Sequence, residues 1–177
     1  GGDYGRKTAF GLRFSPEGRL WVLAGCKSDG RGGYAVELVD SGTTEGGVRA
    51  LADALYSRRQ RAAAVAVDGI GTADALCERM ADLKSPRGYV VRAKAQDAIS
   101  AASMFLDMLK DGKCRHTSQP ALDDSAQNAV KRPVGARGGW GYGSDGKHDA
   151  APVEACALAL WACRTSRRNP RRKQRLQ

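Results

Sequence analysis

Apolar positions alternate along "RKTAFGLRFS" (6–15). Phe10, Leu12 and Phe14 share one parity and Ala9, Gly11 and Arg13 the other, which is the period of a strand. "SPEG" (15–18) reads as a turn, "RLWVLAGC" (19–26) as a second strand, "KSDGRGG" (27–33) as a longer turn and "YAVELVD" (34–40) as a third strand. Such short connections predict an antiparallel meander. In "SGTTEGGVRALADALYSRR" (41–59), Thr43 or Thr44 is placed to cap a helix with Val48, Leu51, Ala52 and Leu55 on one face. "AAAVAVDG" (62–69) is a short apolar run, expected as a buried central strand. The periodicity then changes back to helical in "TADALCERMADL" (72–83), to strand in "GYVVRAK" (88–94), and to helix in "DAISAASMFLDMLKDG" (97–112), ended by Gly112.

The C-terminal part is less regular. "PALDDSAQNAVKR" (120–132) is expected to be helical, and the Gly-rich "PVGARGGWGYGSDGKH" (133–148) a short hairpin or loop. "APVEACALALWACR" (151–164) is apolar on every face, which implies a helix buried against the sheet. The order β-β-β-α-β-α-β-α-α-α predicts a mixed five-stranded α/β sheet, three antiparallel strands followed by two parallel ones, flanked by helices. That topology matches the ribonuclease H-like fold, and a fold by itself does not assign a function.

With 177 residues the chain is long enough for one domain with a full core. No apolar run approaches the roughly 18 residues that span a bilayer, so no membrane segment is expected. "GGDYGRKTAF" has no apolar signal-peptide core, and a start on Gly-Gly is expected to be a boundary inside a longer parent chain. The five cysteines are odd in number and form no C-x-x-C, which favours free thiols acting as small buried hydrophobes. The net charge of +10 is uneven. "RTSRRNPRRKQRLQ" (164–177) holds seven basic and no acidic residues. We therefore divide the chain into a folded domain, 1–163, and a basic, disordered tail, 164–177, suited to sequence-independent attraction to phosphates.

Two carboxylates stand at topological edges. Asp68 ends the fourth strand, directly before "GIG", and in open sheets sites gather at the carboxyl ends of parallel strands. Asp149 precedes the terminal helix. Each has an ordinary reading too: a strand-end Asp serves turns, and Asp149 is placed to cap its helix. Capping and ligation are compatible, because a carboxylate has two oxygens. Two-metal phosphodiester cleavage needs hard oxygen ligands around cations about 3.5–4 Å apart, and remote carboxylates converging at strand ends supply them.

Other candidates have plainer explanations. "LDD" (122–124) reads as an exposed helix face, Glu17 as a solvated turn residue, Glu37 as a mid-strand residue far from Asp68, and Glu154 as a complement to the helix dipole. "CRH" (114–116) and His148 lack zinc-ligand spacing, and no P-loop is present. His148 is a candidate general acid or phosphate contact. Arg13, Lys94, Arg132, Arg137 and Lys147 are candidates to line a phosphate groove, and "GARGGWGYG" (135–143) interleaves an Arg with aromatics that could stack on bases.

"FGLRFSPEG", "AAVAVDGIGTADAL", "CRHTSQPALDDSAQNAVKRPVGARGGWGYG" and "DAAPVEACALALWA" follow one another as in a known family. Over roughly residues 8–163 the chain resembles the nuclease domains of large terminase subunits, the DNA-packaging motors of tailed bacteriophages, most of all those of actinobacterial phages. The resemblance implies a ribonuclease H-like endonuclease that uses Mg²⁺ or Mn²⁺ and cuts concatemeric double-stranded viral DNA in the host cytoplasm during virion assembly. It also implies an ATPase domain on the same parent chain, with the portal and the small terminase subunit as partners. By motif, Asp68 and Asp149 are the metal ligands and catalytic carboxylates.

One position departs from the pattern. The family's first strand carries an Asp where "LRFSP" has Arg13. Arg13 cannot ligate a cation, so either another carboxylate substitutes, Glu17 being nearest in sequence, or the two-metal site is incomplete. The alternative expectation is a non-catalytic nucleic-acid-binding module on the same fold, and a more remote one is a recombinase-type nuclease.

Overall fold

The computed structural model describes residues 6–116, 130–134, 139–143 and 151–170, the second and third of these spans by their backbone. Three strands open the chain, β1 (Thr8–Phe14), β2 (Leu20–Ser28) and β3 (Tyr34–Thr43). They are followed by α1 (Arg49–Ser57), β4 (Ala64–Asp68), α2 (Thr72–Asp82), β5 (Val90–Arg92), α3 (Ala95–Lys110) and β6 (Cys114–His116). β7 (Val130–Val134) and β8 (Gly139–Gly143) form an antiparallel pair, and α4 (Ala151–Thr165) closes the fold.

The main sheet has the order β5-β4-β1-β2-β3-β6. β1, β2 and β3 are antiparallel neighbours, as the meander predicts, and β4 and β5 add in parallel on the β1 side. The five expected strands are all present. A sixth, β6, pairs in parallel with β3 through only three residues, too short for an alternation to show. The same three residues are the "CRH" considered for zinc.

Several boundaries differ from the sequence reading; α3, for example, spans Ala95–Lys110 where the periodicity predicts 97–112. β3 runs on to Thr43, so Thr43 is a strand residue, and α1 starts only after Gly46 and Gly47. The helix expected over 120–132 lies largely outside the described residues, but its last three residues, Val130–Arg132, belong to β7. Pro133 explains this, since it disfavours a helical conformation at the residue before it. The terminal helix reaches Thr165, one residue past its expected end at Arg164 and two past the expected domain boundary at Cys163.

Two apolar layers sandwich the sheet, and strand parity sorts residues between them. Phe10, Leu12, Phe14, Val65 and Val67 face α1 and α2, where Leu55, Leu76, Met80 and Tyr89 complete one core. Ala9, Ala64 and Ala66 belong to the other core, built with α3 and α4. The small residues of β1 and β4 on this face let α4 approach closely. A Cβ on Gly11 would stand 2.2 Å from the Ala155 carbonyl oxygen and 2.5 Å from the Ala159 nitrogen. The all-round apolarity of α4 follows from this burial: ten of its residues are buried. Cys26, Cys114, Cys156 and Cys163 are free and buried in the same core, and burial pushes the Cys114 thiol up to about 11.

Candidate active site at the strand ends

The parity that puts Ala9 and Gly11 toward α4 also puts Arg13 there. The parity of β4 does the same for Asp68, two residues after Ala66. In the parallel ladder Arg13 is the register partner of Asp68. Both therefore emerge side by side at the carboxyl end of the β1–β4 pair, facing the first turn of α4, which carries Glu154. This is the edge where open sheets place their sites.

Arg13 joins the two carboxylates. Its Nη1 lies 3.5 Å from Asp68 Oδ2, and its Nε donates to Glu154 Oε2. Arg13 is only 9% exposed, the one buried charged residue among those described. Sequence reasoning placed Arg13 in a phosphate groove, whereas the structure turns it inward against acidic partners. It also passed over Glu154 as a dipole complement. The signal available was the spacing itself, because the residue two after the Pro of "APVE" falls on the first turn of a helix docked on β1.

A second guanidinium backs Asp68. Arg92, at the end of β5, has its Nη1 3.8 Å from Asp68 Oδ1 and donates from Nε to Asp74 Oδ1 at 2.9 Å. Its Nη1 also donates to the carbonyl of Ala93 at 2.9 Å, and its Nη2 to that of Gly69. Arg92 thus fixes the chain just after Asp68. Gly69 is required there: its φ is +138°, and a Cβ would stand 2.7 Å from Cβ of Phe14. The turn consequently presses on the end of β1 and leaves the Asp68 carboxylate at the surface, 22% exposed. Nothing in the sequence marked Arg92, because its role comes from the parallel register that places it beside Val67.

Among the described residues the cluster holds two guanidiniums, Arg13 and Arg92, and three carboxylates, Asp68, Asp74 and Glu154. Its formal balance is thus one negative charge. Among the described residues no group of three or more His, Cys, Asp or Glu side chains is placed to hold a metal ion. Glu17 is exposed in the β1–β2 turn and Lys94 is exposed before α3. Arg132 sits in β7 opposite Gly141, described by its backbone. Asp149, Arg137, Lys147 and His148 lie outside the described residues.

The basic C-terminal run does not begin as a free arm. Arg164 belongs to α4, and Arg168 is docked on the body. Its Nη1 donates to the Ala62 carbonyl and its Nη2 to the Arg59 carbonyl, each at 2.6 Å, and its guanidinium lies 5.2 Å from the centroid of the Tyr89 ring. Residues 171–177 lie outside the described residues.

No protein-family model and no curated protein sequence matches the chain. Solved structures do. The large terminase nuclease from thermophilic phage G20c is similar with a TM-score of 0.64 at 17% identity, over 88% of this chain and 81% of that one. The HK97 bacteriophage large terminase is similar with a TM-score of 0.65 at 15% identity, over 90% of this chain and 40% of that one. The human cytomegalovirus terminase nuclease domain, in a Mn-soaked structure, gives 0.54 at 11% identity, over 91% of this chain and 85% of that one. The G20c nuclease has been solved with magnesium and with cobalt bound. At these identities the likeness is one of architecture: the chain carries the ribonuclease H-like fold found in large-terminase nuclease domains.

Proposed function

We propose that this chain is the endonuclease domain of a phage DNA-packaging terminase, cutting concatemeric double-stranded DNA with Mg²⁺ or Mn²⁺. The observation that carries the reading is the position of Asp68, surface-facing at the carboxyl end of the parallel β1–β4 pair, on a fold shared with terminase nucleases. In this reading the rest of the motor, an ATPase domain of the same parent chain, lies outside the sequence. The portal and the small terminase subunit are its partners, and the host cytoplasm is its place of action.

The described residues fit a cation only in part. Asp68 and Glu154 offer hard oxygen donors, but Arg13 already stands between them as a positive charge. In this reading Asp68 and Asp149 are the ligands of the metal ion, and Arg13 leaves the two-metal site incomplete unless another carboxylate, such as Glu17, substitutes. Such an ion would activate water and offset charge building on the phosphate. The chain's own residues do the positioning. Arg13 holds Asp68 and Glu154 at fixed places, and Arg92 locks the turn from which Asp68 projects.

The Arg13 ion pairs also favour a second reading, a domain that binds DNA without cutting it. Supercoiled plasmid incubated with Mn²⁺ separates the two. Nicking that depends on the ion and is lost in Asp68→Asn and Asp149→Asn supports the nuclease. Binding with no nicking supports the second reading, and nicking unchanged in Asp68→Asn rejects the assignment of the site.

A further inference from the structure

A cleft of about 610 Å³ opens at the amino end of β1, away from Asp68. Thr8 lines it, and Arg13 is five residues further along an extended strand, about 17 Å at roughly 3.3–3.4 Å per residue. Among the described residues, five cationic side chains line the cleft, Arg6, Lys7, Lys27, Lys113 and Arg115, against one carboxylate, Asp29. They come from separate segments. The ladder sets Thr8 opposite Lys27, and β6 sets Arg115 opposite Ala35, so folding rather than a sequence run brings the charges together.

The single acid is committed to its own turn. Asp29 Oδ1 accepts from the backbone N–H of Arg31 at 2.7 Å and of Gly33 at 3.0 Å. These bonds, that of Arg31 foremost, hold its carboxyl below the usual carboxylate range. Lys7 donates to the Ser166 carbonyl, a neutral partner that leaves its charge uncancelled. Lys27, Lys113 and Arg115 are exposed. Gathering like charges costs free energy that an anion recovers. The cations are spread around an open cleft, which suits an extended polyanion better than one small phosphate.

We propose that this cleft binds the phosphodiester backbone of duplex DNA, as an anchor separate from the strand-end carboxylates. It engages phosphates through charge and carries no base preference. The anchor does not depend on cutting, so it stands or falls apart from the nuclease reading.

The test is fluorescence anisotropy of a labelled duplex against the full chain, in EDTA, across a salt series. The triple variant Lys27→Gln/Lys113→Gln/Arg115→Gln is expected to bind about tenfold or more weakly at low salt. The slope of log K against log salt is expected to shrink by about 2–3, near 0.9 for each phosphate that the variant no longer neutralises. A slope and affinity equal to wild type overturn the proposal. So does a variant that loses polyglutamate binding while keeping its duplex affinity, which would assign the cleft to an acidic polypeptide. If the triple variant melts earlier than wild type, the exposed single change Lys113→Glu carries the same test, with a slope reduced by about 1. Because the readout is binding, a chain that never nicks plasmid still tests the cleft. A chain that nicks while the variant keeps the wild-type slope overturns the cleft alone.

Discussion

Arg13 and Asp68 are register partners across the parallel β1–β4 pair, and the Arg13 Nη1 lies 3.5 Å from the Asp68 carboxylate. With Glu154 on the other side, a buried guanidinium occupies the space between two carboxylates. Removing Arg13 leaves Glu154 without this charge-assisted bond and Asp68 with Arg92 alone among the described residues, at a cost of about 1–3 kcal/mol. Arg13→Ala should therefore lower the melting temperature. A divalent cation should partly restore it, because an ion that binds only the folded state stabilises it by mass action. Arg13→Asp should go further and bind Mn²⁺ measurably more tightly than wild type in calorimetry. Equal Mn²⁺-induced shifts in melting for wild type and both variants would show that Arg13 does not stand in a cation's place.

Glu154 tests the same cluster from the helix side. Glu154→Gln keeps size and an accepting oxygen but removes the charge from the bond donated by Arg13 Nε. A charge-assisted bond gives way to a neutral one, a loss of about 1–2 kcal/mol. Combined with Arg13→Met, the two losses should fall well short of adding, since both remove one interaction. Additive losses in urea unfolding would mean that Glu154 acts through the helix dipole alone.

What could be read from sequence follows from how local each signal is. The alternation of β1 and the apolar run of β4 were legible and mark both strands, but that Arg13 and Asp68 share one face needs the β1–β4 register. The apolar α4 was legible as well. Glu154 and Arg92 were not, because each acts across the sheet: one needs the docking of α4 on Gly11, the other the β4–β5 register. β6 was missed because three residues show no periodicity. The tail was misjudged at Arg168 because composition reports charge, while its bonds to the carbonyls of residues 59, 62 and 63 are tertiary.

Gly11 is where β1 and α4 touch most closely. An added methyl would meet main-chain atoms of Ala155 and Ala159, which cannot rotate away. Gly11→Ala should therefore displace the helix and cost at least about 1–3 kcal/mol, the usual range for overpacking. Displacing α4 also moves Glu154 from Arg13, so Mn²⁺ affinity should change along with stability. A variant with wild-type melting temperature would show that the helix docks less closely than the backbone contact implies.

Burial pushes the Tyr89 phenol up to about 12, from the ordinary value near 10. The folded chain holds this proton more tightly than the unfolded one. The stabilisation is thus complete below pH about 10 and is lost as pH rises toward about 12, roughly 2–3 kcal/mol in all. Tyr89→Phe should abolish that share of the alkaline loss. It should cost about 1 kcal/mol at neutral pH, because the hydroxyl donates to the Leu55 carbonyl at 2.6 Å. Urea unfolding at pH 8 and 11.5 decides the matter, and parallel pH dependence in the two proteins would contradict it.

Arg168 divides the basic C-terminal run into a fixed part and a remainder. Truncation after Pro170 keeps the Arg168 bonds and removes Arg171, Arg172, Lys173 and Arg175. It should leave the melting temperature unchanged while weakening duplex binding and flattening its salt dependence, as expected for a phosphate-attracting arm. Truncation after Cys163 removes Arg168 as well. The carbonyls of Arg59 and Ala62 then lose a charged donor, and Tyr89 loses the guanidinium over its ring. This second truncation should also melt earlier, by an amount that Arg168→Ala in the full chain reproduces at about 1–3 kcal/mol. If Arg168→Ala instead weakens DNA binding and spares stability, the residue belongs to the arm and not to the domain. The distinction matters for the boundary, because it fixes where the folded unit ends and the charge available to DNA begins.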